Sequence, residues 1–194
     1  MRFPRLPALV AVFAAAAAGC FGAGADDRVA RHAAAVLGQS PGDLRITSET
    51  ELTGEAHEFY LVTAPSGRSL LVVVPKKGEI FDARTPDAFS RVARAENAAA
   101  RLSQLGAERV ASWFAALGGS CPPPPVDQAH FVEVTRQPEG VVQLRYVVGI
   151  DRSQGIERAC VVDLAPDGSL KSSRTLEISG PRASGPSWRS DSRD

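Results

Sequence analysis

The residues that could do chemistry are few and widely separated in this sequence. The three histidines, His32, His57 and His130, stand far from one another. The sequence contains no G-x-S-x-G, phosphate-binding P-loop, G-x-G-x-x-G or H-E-x-x-H motif. We therefore predict a non-enzymatic protein without catalytic, cofactor-binding or metal-binding residues. A hydrolase would need a site assembled from scattered His and Glu side chains.

Charged side chains form two stretches of opposite sign. Glu49, Glu51, Glu55 and Glu58 surround the first predicted hairpin, where carboxylates would do acid–base work only in a cleft that shifts their pKa values. On an exposed hairpin such residues more often form a solvated face that protects a sheet edge. In the segment that follows, we expect surface ion pairs between basic and acidic side chains. The basic residues are Arg84, Arg91, Arg94, Arg101 and Arg109, and the acidic ones are Asp87, Glu96 and Glu108.

The overall charge of the chain is balanced. Its 194 residues include 22 Lys plus Arg and 22 Asp plus Glu, and 44% of them are hydrophobic. This balance excludes the basic stripe of a nucleic-acid-binding protein and equally an acidic tail protein. The hydrophobic content is typical of a globular protein.

Residues 1–25 are typical of an export signal. Two arginines in the first five residues precede an apolar run of about a dozen residues, which is too short to span a bilayer that needs about 20. Two cleavage sites compete. An A-x-A sequence at residues 23–25 would release Asp26 as the new N-terminus, whereas a lipobox-like sequence at residues 17–20 would lipidate Cys20. We predict an exported bacterial protein, either periplasmic or an envelope-anchored lipoprotein, and any membrane attachment would come only through Cys20.

Two cysteines remain beyond the signal, Cys121 and Cys160. Two thiols in an oxidising compartment most simply form one disulfide, and no C-x-x-C motif indicates redox chemistry or zinc. We predict that Cys121 and Cys160 are bridged, with Cα atoms less than about 7 Å apart. The bridge would close a loop of about 40 residues and contribute about 4 kcal/mol in the chain-entropy model.

An internal repeat organises the chain. Residues 27–35 match residues 108–116 at five identical positions. Each helical segment precedes four short apolar or alternating runs with Gly-containing breaks, which are typical of hairpins. The runs are residues 44–53, 57–64, 69–74 and 79–83 in the first half, and 130–136, 141–150, 156–164 and 169–178 in the second. We predict an α+β fold of two tandem units, each a helix packed on a four-stranded antiparallel sheet, joined by a linker helix.

The predicted domain order follows from this repeat. After the signal come a first unit (26–85), a linker helix (86–106), a second unit (107–178) and a disordered tail (179–194). Residues 70–74 are apolar on both faces of their strand, so we expect the first sheet to be covered on both sides. The linker is the predicted second cover, because Thr85 and Pro86 form a typical helix start and apolar residues recur at helical spacing as far as residue 105.

The helix, the four strands and a closing turn of the type strand–Asp/Lys–Gly–strand resemble the PepSY domain, a small bacterial envelope module related in shape to the cystatin fold. In the first unit the resemblance runs over residues 28–84, with its central hairpin at 57–62 and its closing turn at 78–80. The second unit resembles the family through residues 141–148 and 166–168. The resemblance implies a binding or protease-restraining role in the envelope and no catalysis.

A cystatin-type inhibitor would be the sharper version of this role. That family inserts a Q-x-V-x-G hairpin into a papain-like cleft. The nearest stretch here is residues 145–149, with Arg145 in place of Gln and Val147 in the middle of a predicted strand. The sequence therefore argues against inhibition of cysteine proteases.

Two functional hypotheses remain. The leading one is a module that binds an envelope protein through its sheet faces or edges. The alternative is a carrier for a small hydrophobic ligand held between sheet and helix, with residues 70–74 lining the pocket. A pocket of several hundred Å³ inside one unit would favour the carrier. A filled core with an exposed apolar patch would favour protein binding.

Overall fold

Four α-helices and eight β-strands make up the described part of the chain. The computed structural model describes residues 23–122, 132–151 and 156–179. Cys20, His130, most of the proline-rich connector and residues 180–194 lie outside these ranges. The helices are α1 (Ala23–Leu37), α2 (Ala88–Ala95), α3 (Ala98–Leu105) and α4 (Ala107–Ala116). The strands are β1 (Arg45–Ser48), β2 (His57–Thr63), β3 (Ser69–Pro75), β4 (Phe81–Asp82), β5 (Glu133–Arg136), β6 (Val142–Asp151), β7 (Ile156–Leu164) and β8 (Leu170–Ser179).

The strands form two four-stranded antiparallel sheets, each in sequence order. The first sheet has the order β1-β2-β3-β4 and the second the order β5-β6-β7-β8. The α+β class and the two antiparallel sheets are therefore as predicted. The hairpins that end in Gly67 and Gly168 use backbone φ values of 80° and 87° at these glycines, which residues with a Cβ rarely adopt.

The first sheet is covered by helices on both faces, as the apolar character of β3 predicts. On one face, α1 packs through Val29, Ala33 and Leu37 against Tyr60, Val62, Leu70, Val72 and Val74. On the other face, Phe59, Val73 and Phe81 enter the core that contains α2, α3 and α4. The alternation of side chains along β2 and β3 sends successive residues to these two cores.

Helices α2, α3 and α4 lie between the two sheets. Their buried side chains share one core with the inner face of the second sheet, which contributes Val142, Leu144, Tyr146, Cys160, Val162 and Leu164. Trp113 of α4 is fully buried, and its indole Nε1 donates a 2.6 Å hydrogen bond to the carbonyl of Leu52 in the β1–β2 loop. Because α4 contacts both sheets, the two predicted units share a core.

The predicted linker helix over residues 86–106 is wrong in two respects. It begins at Ala88 rather than Pro86, because Thr85 does not act as an N-cap: its hydroxyl accepts a hydrogen bond from the Asp82 N–H at 3.3 Å. It is also broken into α2 and α3, with Asn97 between them at φ 53°. A left-handed residue of this kind ends a helix.

The disulfide fastens the end of α4 to the second sheet. Cys121 lies five residues beyond Ala116, the last residue of α4, and is bonded to Cys160 of β7 with a Cα–Cα distance of 6.0 Å. Both cysteines are buried. This distance lies within the range expected for a bridge.

Candidate functional site

A buried histidine and a buried glutamate meet where the first sheet contacts the helices. His57 begins β2, and Glu96 follows the last residue of α2. The His57 Nδ1 atom lies 3.3 Å from the Glu96 Oε1 atom, and the two side chains are 3% and 0% exposed. A charged side chain this deeply buried requires hydrogen-bond partners.

The Glu96 carboxylate finds those partners in the β1–β2 loop. Its Oε1 atom accepts the backbone N–H of Ala56 at 2.7 Å, and its Oε2 atom accepts that of Glu55 at 3.1 Å. Gly54 leaves the space for this approach, because a Cβ at this position would overlap the Glu96 carboxylate. Glu96 therefore joins the loop to the junction between α2 and α3, which gives the physical reason why the predicted linker helix is interrupted here.

Burial sets the protonation state of His57. Desolvation lowers the pKa of its imidazole below the ordinary 6.5, and this outweighs the opposing effect of the Glu96 carboxylate. His57 is therefore neutral at pH 7. Because a carboxylate oxygen can only accept, we place the single imidazole proton on Nδ1, where it is donated to Glu96.

His57 and Glu96 form the floor of an open cleft of about 400 Å³. The cleft is lined by Glu55, Ala56, His57, Pro75, Lys76, Lys77, Ala95, Glu96 and Arg101. One wall is the turn after β3, which is tied to the β1–β2 loop by a 2.9 Å hydrogen bond from the Lys76 N–H to the Ala56 carbonyl. The other wall holds Arg101, whose Nη1 donates to Glu55 Oε2 at 2.9 Å while its Nη2 donates to Oε1.

The ion pair between Arg101 and Glu55 joins the acidic hairpin to the basic segment. A hydrogen bond from Arg101 is the main cause that lowers the pKa of the Glu55 carboxyl. Arg101 was expected to pair within its own segment, so the partner differs from the prediction. The prediction is wrong for Glu96, which is a buried acceptor and not a member of a surface ion pair. Arg94 instead reaches Asp167, at 3.9 Å.

The histidines are not brought together. His32 of α1 has its Nε2 atom 3.1 Å from the Asp82 Oδ2 atom at the end of β4, whereas His57 bonds to Glu96. His130 lies outside the described residues. Within those residues, no group of three or more His, Cys, Asp or Glu side chains is placed to hold a metal ion.

The chemistry open to the cleft is binding or proton transfer. A histidine whose tautomer is fixed by a carboxylate resembles a general base held by its orienting group. The described lining residues include no Ser, Thr or Cys that could act as a nucleophile beside it. Sequence reasoning missed the cleft, because His57 and Glu96 are 39 positions apart and neither belongs to a motif.

The outer face of the second sheet, which faces away from the helices, carries a polar network. The Asp163 carboxylate accepts hydrogen bonds from Gln143 (2.7 Å), Ser172 (2.6 Å) and Arg174 (2.9 Å). Burial alone would raise the pKa of this carboxyl, but these three hydrogen bonds outweigh it and hold the pKa below its usual value. In the next row, Arg145 bonds to Glu133 at 3.1 Å and to Glu157 at 3.3 Å.

Apolar side chains are exposed further along the second sheet. Among the described residues, the large hydrophobic side chains that are exposed are Val134, Ile150, Leu170 and Leu176. All four belong to strands of the second sheet. On the outer face, Ile150 of β6, Glu157 of β7 and Ile178 of β8 are aligned across the three strands. Leu176, two residues from Ile178 on the same strand, is paired with Ala159 of β7. We call Ile150, Leu176 and Ile178 the outer patch.

Comparisons of the chain with family models, curated proteins and solved structures gave no match. In the part of the chain described here, no helix has both the length and the apolar character needed to cross a membrane.

Proposed function

We propose that this chain is a non-enzymatic, exported envelope module that binds a partner protein through the outer face of its second sheet. The observation that carries the proposal is that Ile150 and Leu176, two of the four large hydrophobic side chains exposed among the described residues, lie on this outer face. The partner surface expected from this patch is apolar, with polar groups that can face the Arg145–Glu157 ion pair.

The surroundings of the outer patch support a protein partner. An ion pair lies within the patch: Glu157, which is aligned between Ile150 and Ile178, accepts a hydrogen bond from Arg145 at 3.3 Å. Protein–protein interfaces combine exposed apolar side chains with paired polar groups in this way. Exposed apolar patches of this kind mark interaction sites more often than isolated surface residues do.

The core argues against the hydrophobic-carrier alternative. Residues of β3 that would line a ligand pocket pack instead against α1 on one face and against the core with α2–α4 on the other. The cleft of about 400 Å³ lies outside this core, is open, and has charged side chains at five of its nine lining residues. A carrier that holds an apolar molecule between sheet and helix would need a cavity there that buries most of the ligand.

The proposed membership in a PepSY-like group, with two tandem units, is supported by the matching organisation of the two halves. In each half a helix precedes a four-stranded meander and packs on it. In the alignment of the two repeats, Val29 of α1 corresponds to Val110 of α4, and both side chains are fully buried. His32 corresponds to Trp113 in the same alignment, but the two side chains make different contacts: His32 with Asp82, and Trp113 with Leu52.

The proposed compartment is the bacterial envelope, reached as a periplasmic protein or as a lipoprotein through Cys20. The disulfide between Cys121 and Cys160 is compatible with an oxidising compartment. Protease restraint of the cystatin type has little support, because residues 145–149 lie inside β6 and not at the tip of a hairpin. A restraining role would instead use the outer patch.

Site-specific photocrosslinking in cells tests the proposal. A photoreactive residue at Ile150 or Leu176 should give a discrete protein adduct, identified by mass spectrometry. The photoreactive residue placed instead at Arg45, on the exposed edge of the first sheet, should give no adduct. The substitution Leu176→Lys should abolish the adduct formed from position 150. Stability of the Leu176→Lys variant is checked by thermal unfolding, since Leu176 is exposed.

The contrary outcomes are equally specific. Equal adducts at Arg45 and Ile150 would indicate nonspecific contact and contradict the proposed surface. Absence of any adduct at the outer patch, together with a stoichiometric small molecule in a lipid extract of the purified protein, would favour the carrier. Intact-mass measurement of the same preparation distinguishes a lipidated Cys20 from a free Asp26 terminus.

A further inference from the structure

The cleft at the end of the first sheet has cationic groups that its own carboxylates do not neutralise. Lys76 and Lys77 are exposed on one wall, and neither makes an ion pair within the described residues. The two carboxylates of the cleft are already engaged: Glu55 binds Arg101, and Glu96 accepts two backbone N–H groups. Positive charge is therefore left over at the opening.

The cleft is held in shape before any ligand arrives. The Lys76 N–H bonds to the Ala56 carbonyl, and the Ala56 N–H in turn bonds to the Glu96 carboxylate. This chain of hydrogen bonds links the turn after β3, the β1–β2 loop and the end of α2. A preformed cleft of about 400 Å³ has the size of a small-molecule site.

One ring nitrogen of His57 is without a protein partner in the part of the chain that the structure describes. Its Nδ1 atom is used by Glu96, and its Nε2 atom has no hydrogen-bond partner within the described residues. The His57 and Phe81 rings are in edge-to-face contact with their centroids 6.2 Å apart, and the Arg91 guanidinium lies over the Phe81 ring, 4.0 Å from its centroid. The charged groups that surround His57 are Glu96 and Arg91 from α2, Glu55 from the loop, Arg101 from α3, and Lys76 and Lys77 from the turn.

We propose that this cleft binds a compact oxyanion, the carboxylate or phosphate group of a small molecule, between Lys76, Lys77 and His57. The anion compensates the two lysines and supplies the acceptor that a protonated imidazole requires. The proposal is independent of the binding surface on the second sheet.

Proton uptake is coupled to this binding. A nearby negative charge favours the imidazolium form, so the anion raises the pKa of His57. By reciprocity, protonation of His57 strengthens anion binding by the same factor. Binding should therefore tighten as the pH is lowered below neutrality.

Proton NMR titration of the full chain tests the proposal. The His57 ring resonances are assigned by elimination with His32→Gln and His130→Gln variants. Succinate and inorganic phosphate are the probes for the two sources of oxyanion, and chloride at equal ionic strength is the control. We expect saturable shifts of the His57 signals with succinate, phosphate or both, and an upward shift of the His57 pKa at saturation.

Paired lysine variants locate the anion. Lys76→Ser with Lys77→Ser should weaken binding by about tenfold or more, while Lys171→Ser on the exposed strand β8 should leave it unchanged. The proposal is overturned if neither probe gives a saturable shift, if chloride reproduces the effect, or if the double variant binds as tightly as the unaltered protein. A saturable shift that leaves the His57 pKa unchanged would also overturn it.

Discussion

The two sheets share one strand order but are covered in different ways. The first sheet is packed between α1 on one face and α2–α4 on the other, so β3 is apolar on both faces. The second sheet has helices on one face alone among the described residues, and its other face carries ion pairs and the Asp163 network. A sheet with a single helical layer can thus carry paired polar side chains on its free face.

Long arginine side chains cover apolar residues on the outer face of the second sheet, where there is no helix among the described residues. Arg145 is aligned with Val161, yet its guanidinium reaches Glu157, so its side chain passes Ala159 between them. Ala159 is 0% exposed and Val161 is 2% exposed, although both face away from the helices. The aliphatic parts of arginine side chains can bury apolar neighbours while the charged end stays paired.

Removal of the disulfide should have the largest effect on stability, and it should destabilise the second sheet more than the first. A bridge across 39 positions contributes about 4 kcal/mol in the chain-entropy model. We expect the Cys121→Ala/Cys160→Ala double variant to lose about that much stability in urea unfolding followed by the fluorescence of buried Trp113. Hydrogen exchange should rise in β6–β8 before it rises in β2–β3. Equal acceleration in both sheets would show that they unfold as one unit.

Loss of the Glu96 carboxylate should affect the first sheet instead. Glu96→Ala leaves the N–H groups of Glu55 and Ala56 and the His57 ring without their buried acceptor. We expect a loss of about 3 kcal/mol in the free energy of unfolding, because hydrogen bonds to a charged acceptor are the stronger kind. Glu96→Gln keeps one acceptor oxygen and should cost less. If both variants unfold like the unaltered protein, Glu96 does not hold the loop.

Mild acidification should weaken the first sheet and leave the second intact. Since burial lowers the pKa of His57 below 6.5 in the folded state, the unfolded chain binds more protons at this position as the pH falls below about 6.5. The free energy of unfolding therefore falls as the pH drops from about 6.5 through the folded pKa. We expect this loss to be smaller than the loss caused by Glu96→Ala. Urea unfolding over this pH range measures it, and His57→Gln should flatten the profile. A profile that is unchanged in His57→Gln would assign the effect to another group.

The smallest effect is expected at Tyr146, in the core beneath the second sheet. Its hydroxyl is buried without a hydrogen-bond partner within the described residues, and burial raises its pKa far above 10. Tyr146→Phe removes an unsatisfied polar atom and keeps the ring, so stability should stay level or rise by up to about 1 kcal/mol. Tyr60→Phe is the contrasting variant, because the Tyr60 hydroxyl donates a hydrogen bond to Glu58 at 2.9 Å. Its removal should lower the stability. A larger loss at Tyr146 than at Tyr60 would indicate that a buried water satisfies the Tyr146 hydroxyl.

Local patterns in the sequence were sufficient for the strands and for part of the packing. The predicted run 156–164 is the observed β7, because alternating residues and the flanking Gly-containing turns define a strand locally. The doubly apolar character of β3 predicted a sheet covered on both faces, which is confirmed. The predicted strand 44–53 is shortened to Arg45–Ser48, since the residues that follow form the loop that binds Glu96 and Trp113.

The candidate site depended on contacts that no local pattern contains. A helical period through residues 86–105 gave one helix, but the buried Glu96 carboxylate and the left-handed Asn97 divide it. Hydrophobic spacing could not reveal this, because a glutamate in that period is equally compatible with an exposed position. Likewise, nothing near His57 in the sequence indicates a carboxylate 39 positions away.

The sequence by itself determined the α+β class, the two antiparallel meanders and the pair of cysteines able to form a bridge, because these follow from alternation, turn residues and residue counts. The tertiary structure alone decided that α4 serves both sheets, that Glu96 is buried beside His57, and that Lys76 and Lys77 face a cleft. The physical reason is that burial and pairing of charges depend on which distant segments approach each other. A side chain's type sets what it can bind, whereas its folded surroundings set its partner and its pKa.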